Sequence, residues 1–147
     1  MEIWLDDLRI TDTIETATSV FTQKQVINFA ISGGDENRLH LDIDYAKNRP
    51  PFRKRIVHGE LIATRMSALG AERIGYGPIL LQTSTKTLFR APVCVGEIFT
   101  CHYEVTEIKN CNNKYGTVCF ATKLFFVESK KIIAYGEREL IMLWKPF

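Results

Sequence analysis

The sequence lacks several features that would place it in a special class of protein. No apolar run approaches the roughly 20 residues that a transmembrane helix needs, and no Gly/Ser linker, low-complexity tract or internal repeat is present. The net charge is only +2, which gives no reason to expect a nucleic-acid partner. Apolar residues at 46% and charged residues at 24% are ordinary fractions. We therefore expect one globular domain over residues 1–147 that is not embedded in a membrane.

The N-terminal residues and the cysteines favour a cytoplasmic location. The first fifteen residues include Asp6, Asp7 and Glu15 and lack both the basic start and the apolar run of a signal peptide. The cysteines form no Cys-x-x-Cys pair and have no histidine at a zinc-finger interval. Because they fall in segments with strand composition, we interpret them as buried, reduced thiols without a function. These cysteines are Cys94, Cys101, Cys111 and Cys119.

Two helices are predicted in the first half of the chain. Thr22 can cap a helix over residues 23–32, and Gly33-Gly34 ends it, so residues 35–40 are expected in irregular backbone. The longest helical pattern, over residues 58–69, is apolar on nearly all sides and predicts a buried helix. A short helical turn is also predicted over residues 44–47.

The second half of the chain has the composition of β-strands. Four segments are rich in Val, Ile, Thr, Phe and Tyr, and short turns join them, which favours antiparallel neighbours. These segments are residues 79–89, 97–108, 115–128 and 131–144. We therefore predict an α+β fold in which an antiparallel sheet wraps around a long central helix. An apolar edge of that sheet would suit a homodimer.

One hexapeptide concentrates groups that can transfer protons. Residues 35–40 read Asp-Glu-Asn-Arg-Leu-His and contain a carboxylate (Asp35), a carboxamide (Asn37) and an imidazole (His40). His58 and Gly59 follow at the predicted start of a helix, where N–H groups can stabilise a developing negative charge. Together these groups could run proton-transfer chemistry beside a carbonyl. Taken singly, Asp-x-Asn is most often a turn or a cap, and a lone histidine is most often structural.

The remaining two histidines are interpreted as structural. His58 could simply begin a helix, and His102 lies among strand residues without a carboxylate motif. The three histidines do not cluster in the sequence and match no ligand spacing, so we predict no metal site.

Several spaced stretches resemble one family. Residues 29–42 resemble the hydratase motif of MaoC-like proteins, which are single hotdog domains similar to (R)-specific enoyl-CoA hydratases. Asp-Tyr-Ala-Lys at 44–47 and Ile-Val-His-Gly-Glu-Leu at 56–61 match the next two motifs in order and distance. Phe-Arg-Ala-Pro-Val-Cys-Val-Gly-Glu at 89–97 resembles the family's Pro-Val-x-x-Gly-Asp strand entry. The resemblance covers residues 17–143, nearly the whole chain.

The resemblance implies an activity and roles for individual residues. The implied reaction is the cofactor-free hydration of trans-2-enoyl thioesters of coenzyme A or acyl carrier protein to (R)-3-hydroxyacyl thioesters, or its reverse. Asp35 and His40 are implied to be the catalytic pair, with Asn37 helping to hold the pair and the substrate. The N–H of Gly59 is implied to be the oxyanion donor. Arg38 stands where proline is usual, and an arginine there could loosen the loop or meet an additional anionic group.

A second departure from the family pattern is the sequence Gly33-Gly34-Asp35, where Ser-Gly-Asp is usual. It loses a hydroxyl and keeps the glycine next to the aspartate. Two rival functions therefore stay open. A hotdog thioesterase would direct water at the carbonyl carbon instead, and a non-catalytic module would only bind acyl thioesters.

Other residues are candidates for substrate binding. A basic cluster surrounds the Pro50-Pro51 turn and is either a solvated loop or a site for the phosphates of coenzyme A or for an acidic carrier protein. Ser67 and Leu69 are expected to line the acyl chain. The members of the basic cluster are Arg49, Arg53, Lys54 and Arg55, to which Arg65 and Arg73 could add.

Overall fold

A five-stranded antiparallel sheet dominates the structure, a computed structural model that describes residues 1–146. The strand order is β1-β3-β4-β5-β2. Strands β3, β4 and β5 follow one another along the chain and form a meander, whereas β1 and β2 are the two edges. The strands are β1 (Thr13–Glu15), β2 (Ile79–Phe89), β3 (Phe99–Lys109), β4 (Tyr115–Phe126) and β5 (Ile132–Leu143).

Four helices lie between β1 and β2. Thr22 Oγ1 accepts the N–H of Gln25, so Thr22 caps the first helix as predicted. The Gln25 side chain in turn accepts the N–H of Thr22, which makes the cap reciprocal. Gly34 ends that helix with a φ of +75°, a conformation that glycine tolerates. In residues 1–146 no helix has the length and apolar character to cross a membrane. The helices are α1 (Gln23–Gly33), α2 (Arg38–Leu41), α3 (Ile43–Lys47) and α4 (Gly59–Ile74).

Helix α4 is the central helix, and the sheet packs against its apolar face. Met66 is fully buried, and the Tyr103 hydroxyl of β3 donates to the Met66 carbonyl at 2.7 Å. The predicted α+β fold, an antiparallel sheet around a long helix, is confirmed. Two details of the prediction are wrong: α4 continues to Ile74, and it leaves Thr64 and Ala68 exposed.

Arg138 of β5 joins α4 to the sheet and is 1% exposed. Its five N–H groups all donate to uncharged acceptors, which belong to α4, β2 and β5. The acceptors are Ser67 Oγ (2.9 Å), Lys86 O (2.7 Å), Glu137 O (2.9 Å), Thr87 Oγ1 (3.0 Å) and Ala63 O (3.3 Å). Burial lowers the pKa of this guanidinium from its ordinary value. The side chain is thus a buried cation held by dipoles.

Three local predictions are corrected by the structure. Strand β1 was missed because it has only three residues and its pairing partners in β3 lie far along the chain. Residues 38–40 are helical, since α2 begins at Arg38. All four cysteines are free, but only Cys101 is fully buried, Cys94 lies in a loop and Cys111 is exposed in a turn.

Candidate active site

His40 lies on α2 with its side chain directed into the protein. Asn37 caps this helix: its Oδ1 accepts the N–H of Leu39 at 3.0 Å. His40 is 8% exposed, and its Nδ1 lies 2.7 Å from the carbonyl oxygen of Ile56. Because a carbonyl can only accept, Nδ1 carries the proton and Nε2 keeps a lone pair. The helix therefore presents His40 as a base through Nε2.

Asp35 lies in the exposed connection between α1 and α2. Its Oδ1 accepts the N–H of Asn37 at 3.3 Å, as in the turn that Asp-x-Asn predicts. A ligand atom of Asp35 lies within 4.8 Å of one from His40 and one from His58. The structure thus brings the two residues of the predicted pair together, one exposed and one buried.

His58 lies against the same pair, which the sequence did not reveal. It is 1% exposed, and its ring centroid is 3.8 Å from that of His40 with 31° between the ring planes. Its Nε2 donates to the main-chain oxygen of Asp35 at 2.9 Å, while its buried Nδ1 has no hydrogen-bond partner among the described residues. Phe29 packs on the ring at a centroid distance of 5.0 Å. His58 is therefore part of the site and not only the start of a helix.

The three groups are of types that bind metals, and their ligand atoms lie within 4.8 Å of one another. His40 Nδ1 and His58 Nε2 are both occupied by main-chain carbonyls. These bonds leave one nitrogen on each ring and the Asp35 carboxylate as potential ligands.

The pKa of His40 lies below its ordinary value of 6.5, and burial is the largest cause. The hydrogen bond to Ile56 acts in the opposite direction, His58 lowers the pKa further, and Asp35 raises it. The net effect keeps the imidazole neutral near pH 7, in the form that can accept a proton.

This shift predicts how stability depends on pH. Below pH 6.5 the unfolded chain binds more protons at His40 than the folded chain does, so the protein becomes less stable as the pH decreases. The contribution is fully present above 6.5 and is lost as pH decreases toward the lowered folded pKa. Urea unfolding of the wild type and of His40→Gln at about pH 7.5 and about pH 5.5 checks this, because the variant should lose less stability between the two. An equal loss in both proteins would contradict it.

A cavity of about 280 Å³ opens beside His40. Gly59, the first residue of α4, borders it, and no side chain caps the start of that helix. The ring of Phe89 lies so close to Gly59 that a Cβ there would approach it to 3.2 Å. The N-terminus of α4 therefore faces the cavity without a side chain of its own at that position. Its lining includes Phe52, Ile56, Val57, Ile62, Phe89, Arg90, Ala91 and Pro92.

The aromatic and basic wall of this cavity was not predicted. Phe52 and Phe89 were passed over because a single aromatic residue in a loop or at a strand end carries no chemical pattern. Arg90 lay within a quoted family motif but received no role. Only the approach of residues 89–92 to the start of α4, fixed in part by the bond from Val57 N to Val93 O (2.7 Å), makes them neighbours.

The predicted substrate-binding arginines lie on the surface near this cavity. Arg38 pairs with Asp42 at 2.7 Å and lies 4.6 Å from the ring centroid of Tyr45. Arg53 and Arg55 line a second cavity of about 290 Å³ together with Lys54. Their role in binding stays a prediction.

The predicted acyl-chain residues lie elsewhere on α4. Ser67 accepts the Nε hydrogen of Arg138 and borders another cavity of about 320 Å³, between α4 and β2. Leu69 is 5% exposed and belongs to the core. Neither lines the cavity that contains His40. Their role also stays a prediction.

Comparisons with known proteins agree with this site and fold. The family model for the MaoC-like domain matches residues 7–123. The chain is 35% identical over 106 residues to a 3-hydroxybutyryl-CoA dehydratase from Methylorubrum extorquens, covering 72% of this chain and 66% of that protein. It is 39% identical over 90 residues to an (R)-specific enoyl-CoA hydratase from Aeromonas caviae, covering 60% and 65%. The match thus spans slightly less than two thirds of the length of these two relatives.

A solved structure supports the same assignment. The R-hydratase PhaJ1 from Pseudomonas aeruginosa, in its unliganded form, superposes with a TM-score of 0.81 at 32% identity. The superposition covers 99% of this chain and 88% of that one. The implied hotdog fold and the resemblance that implied it are both confirmed.

Proposed function

Because the chain belongs to the MaoC-like domain family, we propose that it hydrates trans-2-enoyl thioesters to (R)-3-hydroxyacyl thioesters, or catalyses the reverse dehydration. The observation that carries the proposal is one constellation. A neutral His40 and the carboxylate of Asp35 lie together, and His40 shares a cavity with the uncapped start of α4 at Gly59. The similarity to a dehydratase and to hydratases acting on coenzyme A thioesters supports it.

The first step is the activation of water. A water molecule held between the Asp35 carboxylate and His40 Nε2 directs a lone pair at C3 of the enoyl thioester. One of the pair accepts the proton that the water loses as its oxygen bonds to C3. Either group can accept that proton, so it is assigned to the pair. Asn37 acts by capping α2, which holds His40 at this position.

The second step places a proton on C2. As the C3–O bond forms, negative charge moves to the thioester oxygen and an enolate develops. The Gly59 N–H and the positive end of α4 stabilise that charge, because they are fixed before the reaction begins. The protonated member of the pair then supplies the proton to C2, which restores the neutral thioester and the starting state of the enzyme. No cofactor is needed for this balance.

The basic cluster offers a site for the anionic part of the substrate. Arg53, Lys54 and Arg55 line one cavity, and Arg55 is fixed by its bond to the Leu41 carbonyl at 3.3 Å. Phosphates of coenzyme A, or acidic residues of a carrier protein, would be attracted there. If the cluster binds the phosphates, KM for crotonyl-CoA should be lower than KM for crotonyl-pantetheine. Equal KM values would contradict this role.

The decisive assay follows the loss of enoyl absorbance when crotonyl-CoA is mixed with the purified protein. Formation of (R)-3-hydroxybutyryl-CoA, identified by a stereochemical assay, is the expected result. A free-thiol assay on the same samples distinguishes the rival thioesterase. Release of thiol alone would replace the proposal by that reaction, and no turnover with any enoyl thioester tested would leave only a binding module.

We also propose that the active form is a homodimer built on β2. This strand has eleven residues and lies at the edge of the sheet, so within residues 1–146 its outer main-chain groups have no strand partner. Leu81, Leu88 and Phe89 on it are each more than 40% exposed. A second copy would cover them, and Phe89 would bring the interface next to the cavity.

Light scattering is expected to give twice the chain mass of 16.9 kDa. Leu88→Lys, which puts a charge on the edge, should shift the mass toward the monomer. The exposed Ile31 of α1, changed to lysine, is the control and should leave the dimer intact. A wild-type monomer would contradict the proposal.

A further inference from the structure

His58 contacts both members of the proposed catalytic pair. Its ring lies on that of His40 at 3.8 Å, and its Nε2 donates to the Asp35 carbonyl at 2.9 Å. It also directly precedes Gly59 at the start of α4. One buried side chain therefore joins three parts of the site that lie on separate elements.

We propose that His58 is a positioning residue, which fixes the position of the Asp35 loop and of the His40 ring relative to the start of α4. The proposal rests on the hydration or dehydration proposed above. In that reaction, Asp35 and His40 must hold the water together while the thioester oxygen accepts a hydrogen bond from the Gly59 N–H. A displacement on the order of 1 Å in such an arrangement can lower the rate about a hundredfold.

The hydrogen bonding of His58 favours this role over simple packing. Its Nδ1 is buried without a partner among the described residues, an arrangement that lowers stability. A phenylalanine would fill the same space between Phe29 and His40 without that unpaired nitrogen. What only the imidazole adds is the Nε2–H bond to Asp35. The histidine is thus better suited to fixing the loop than to stabilising the core.

The two stacked rings carry their protons on opposite nitrogens. His40 donates from Nδ1 to Ile56, and His58 donates from Nε2 to Asp35. Each ring is therefore fixed by a main-chain carbonyl, and His40 Nε2 stays free for the reaction. The charged or titratable groups near His40 are Asp35, His58 and, across the cavity, Arg90.

The first test needs no substitution. Nitrogen-15 spectra of the imidazoles at about pH 7.5, where neutral histidine predominates, should show a proton on Nδ1 of His40 and on Nε2 of His58. A proton on Nδ1 of His58 would overturn the proposal, because the bond to Asp35 could not then be donated from Nε2.

The second test separates the ring from its hydrogen bond. His58→Phe keeps a ring on His40 and loses the donor to Asp35, whereas His58→Gln keeps a donor and loses the ring. His58→Phe should lower kcat for crotonyl-CoA about ten- to hundredfold with KM changed less than about threefold. His58→Gln should lower kcat less than His58→Phe does, because it keeps a hydrogen-bond donor. His102→Gln, on the half-exposed histidine of β3, is the control and should match the wild type.

The melting temperature distinguishes positioning from a merely structural role. A structural role predicts lower melting temperatures with wild-type kcat in the folded fraction, and that result would overturn the proposal. A wild-type kcat in His58→Phe would overturn it as well.

The test remains decisive if the proposed function fails. If the wild type turns over no enoyl thioester, the amide spectra of His58→Phe still measure whether the Asp35 loop has changed its conformation. Displaced signals for Asp35 and Glu36, with signals closer to the wild type in His58→Gln, would support the positioning role. Unchanged signals in His58→Phe would overturn it independently of any activity.

Discussion

Replacing His40 by alanine is expected to lower kcat for the hydration of crotonyl-CoA by about 10³-fold, within the range that general acid–base groups contribute. The variant loses the free Nε2 lone pair that, in our proposal, holds or deprotonates water. Because α2 is capped by Asn37 and not by His40, the variant should still fold. Stopped-flow absorbance with purified variant and wild type measures the loss.

Asp35→Asn is expected to cause a loss of similar size for a different reason. The amide keeps an oxygen that can accept the N–H of Asn37, so the loop is preserved, but it cannot take up a proton. If the two residues act as one unit, the double variant should be little worse than either single one. His102→Ala is the matched control and should retain full activity. Single variants within about threefold of the wild type would refute the assignment of the pair.

Arg138→Met is expected to lower the free energy of unfolding by roughly 2–4 kcal/mol, from two opposing effects. Methionine removes the cost of burying a cation that has no carboxylate partner among the described residues. It also leaves hydroxyl and carbonyl groups of α4, β2 and β5 without their donor. Five lost hydrogen bonds outweigh the gain, since each buried unsatisfied group costs about 1–3 kcal/mol.

Urea unfolding measures this change. Arg73→Met is the matched control, because Arg73 is exposed on α4 and its replacement should change stability by less than about 0.5 kcal/mol. Arg138→Lys should be intermediate, since an ammonium has three donors in place of five. A variant Arg138→Met as stable as the wild type would show that burial of the charge costs as much as its hydrogen bonds contribute.

The sequence predicted most of the sheet because its signals there are local. The predicted strand at 79–89 has the observed bounds, and the other three differ from the structure by at most two residues at either end. The short turns between these strands predict antiparallel pairing of consecutive strands, and no long-range information is needed for that. Strand β1 was missed because three residues are too few for a periodic pattern and its pairing depends on β3.

The site was predicted less completely, for a physical reason. Asp35 and His40 lie five residues apart, so their proximity follows from local backbone. His58 is eighteen residues from His40, and the stack between their rings depends on how α4 packs beside α2. An unpaired buried nitrogen such as its Nδ1 is a property of packing, which residue spacing does not encode. Helix α2 was likewise taken for a loop because four residues owe their shape to a cap and a tertiary bond.

The topology has a consequence for the order in which the chain folds. The β3–β4–β5 meander needs only short loops to close and can form early. By contrast, β2 pairs with residues of β5 that lie 45 to 63 positions later, as in Phe89 with Ala134 and Ile79 with Met142. We therefore expect the cavity wall at residues 89–92 to reach α4 only after that pairing is made. A nascent or partly unfolded chain can therefore hold a native-like meander yet have no reaction site, and enzymatic activity would report completion of the fold.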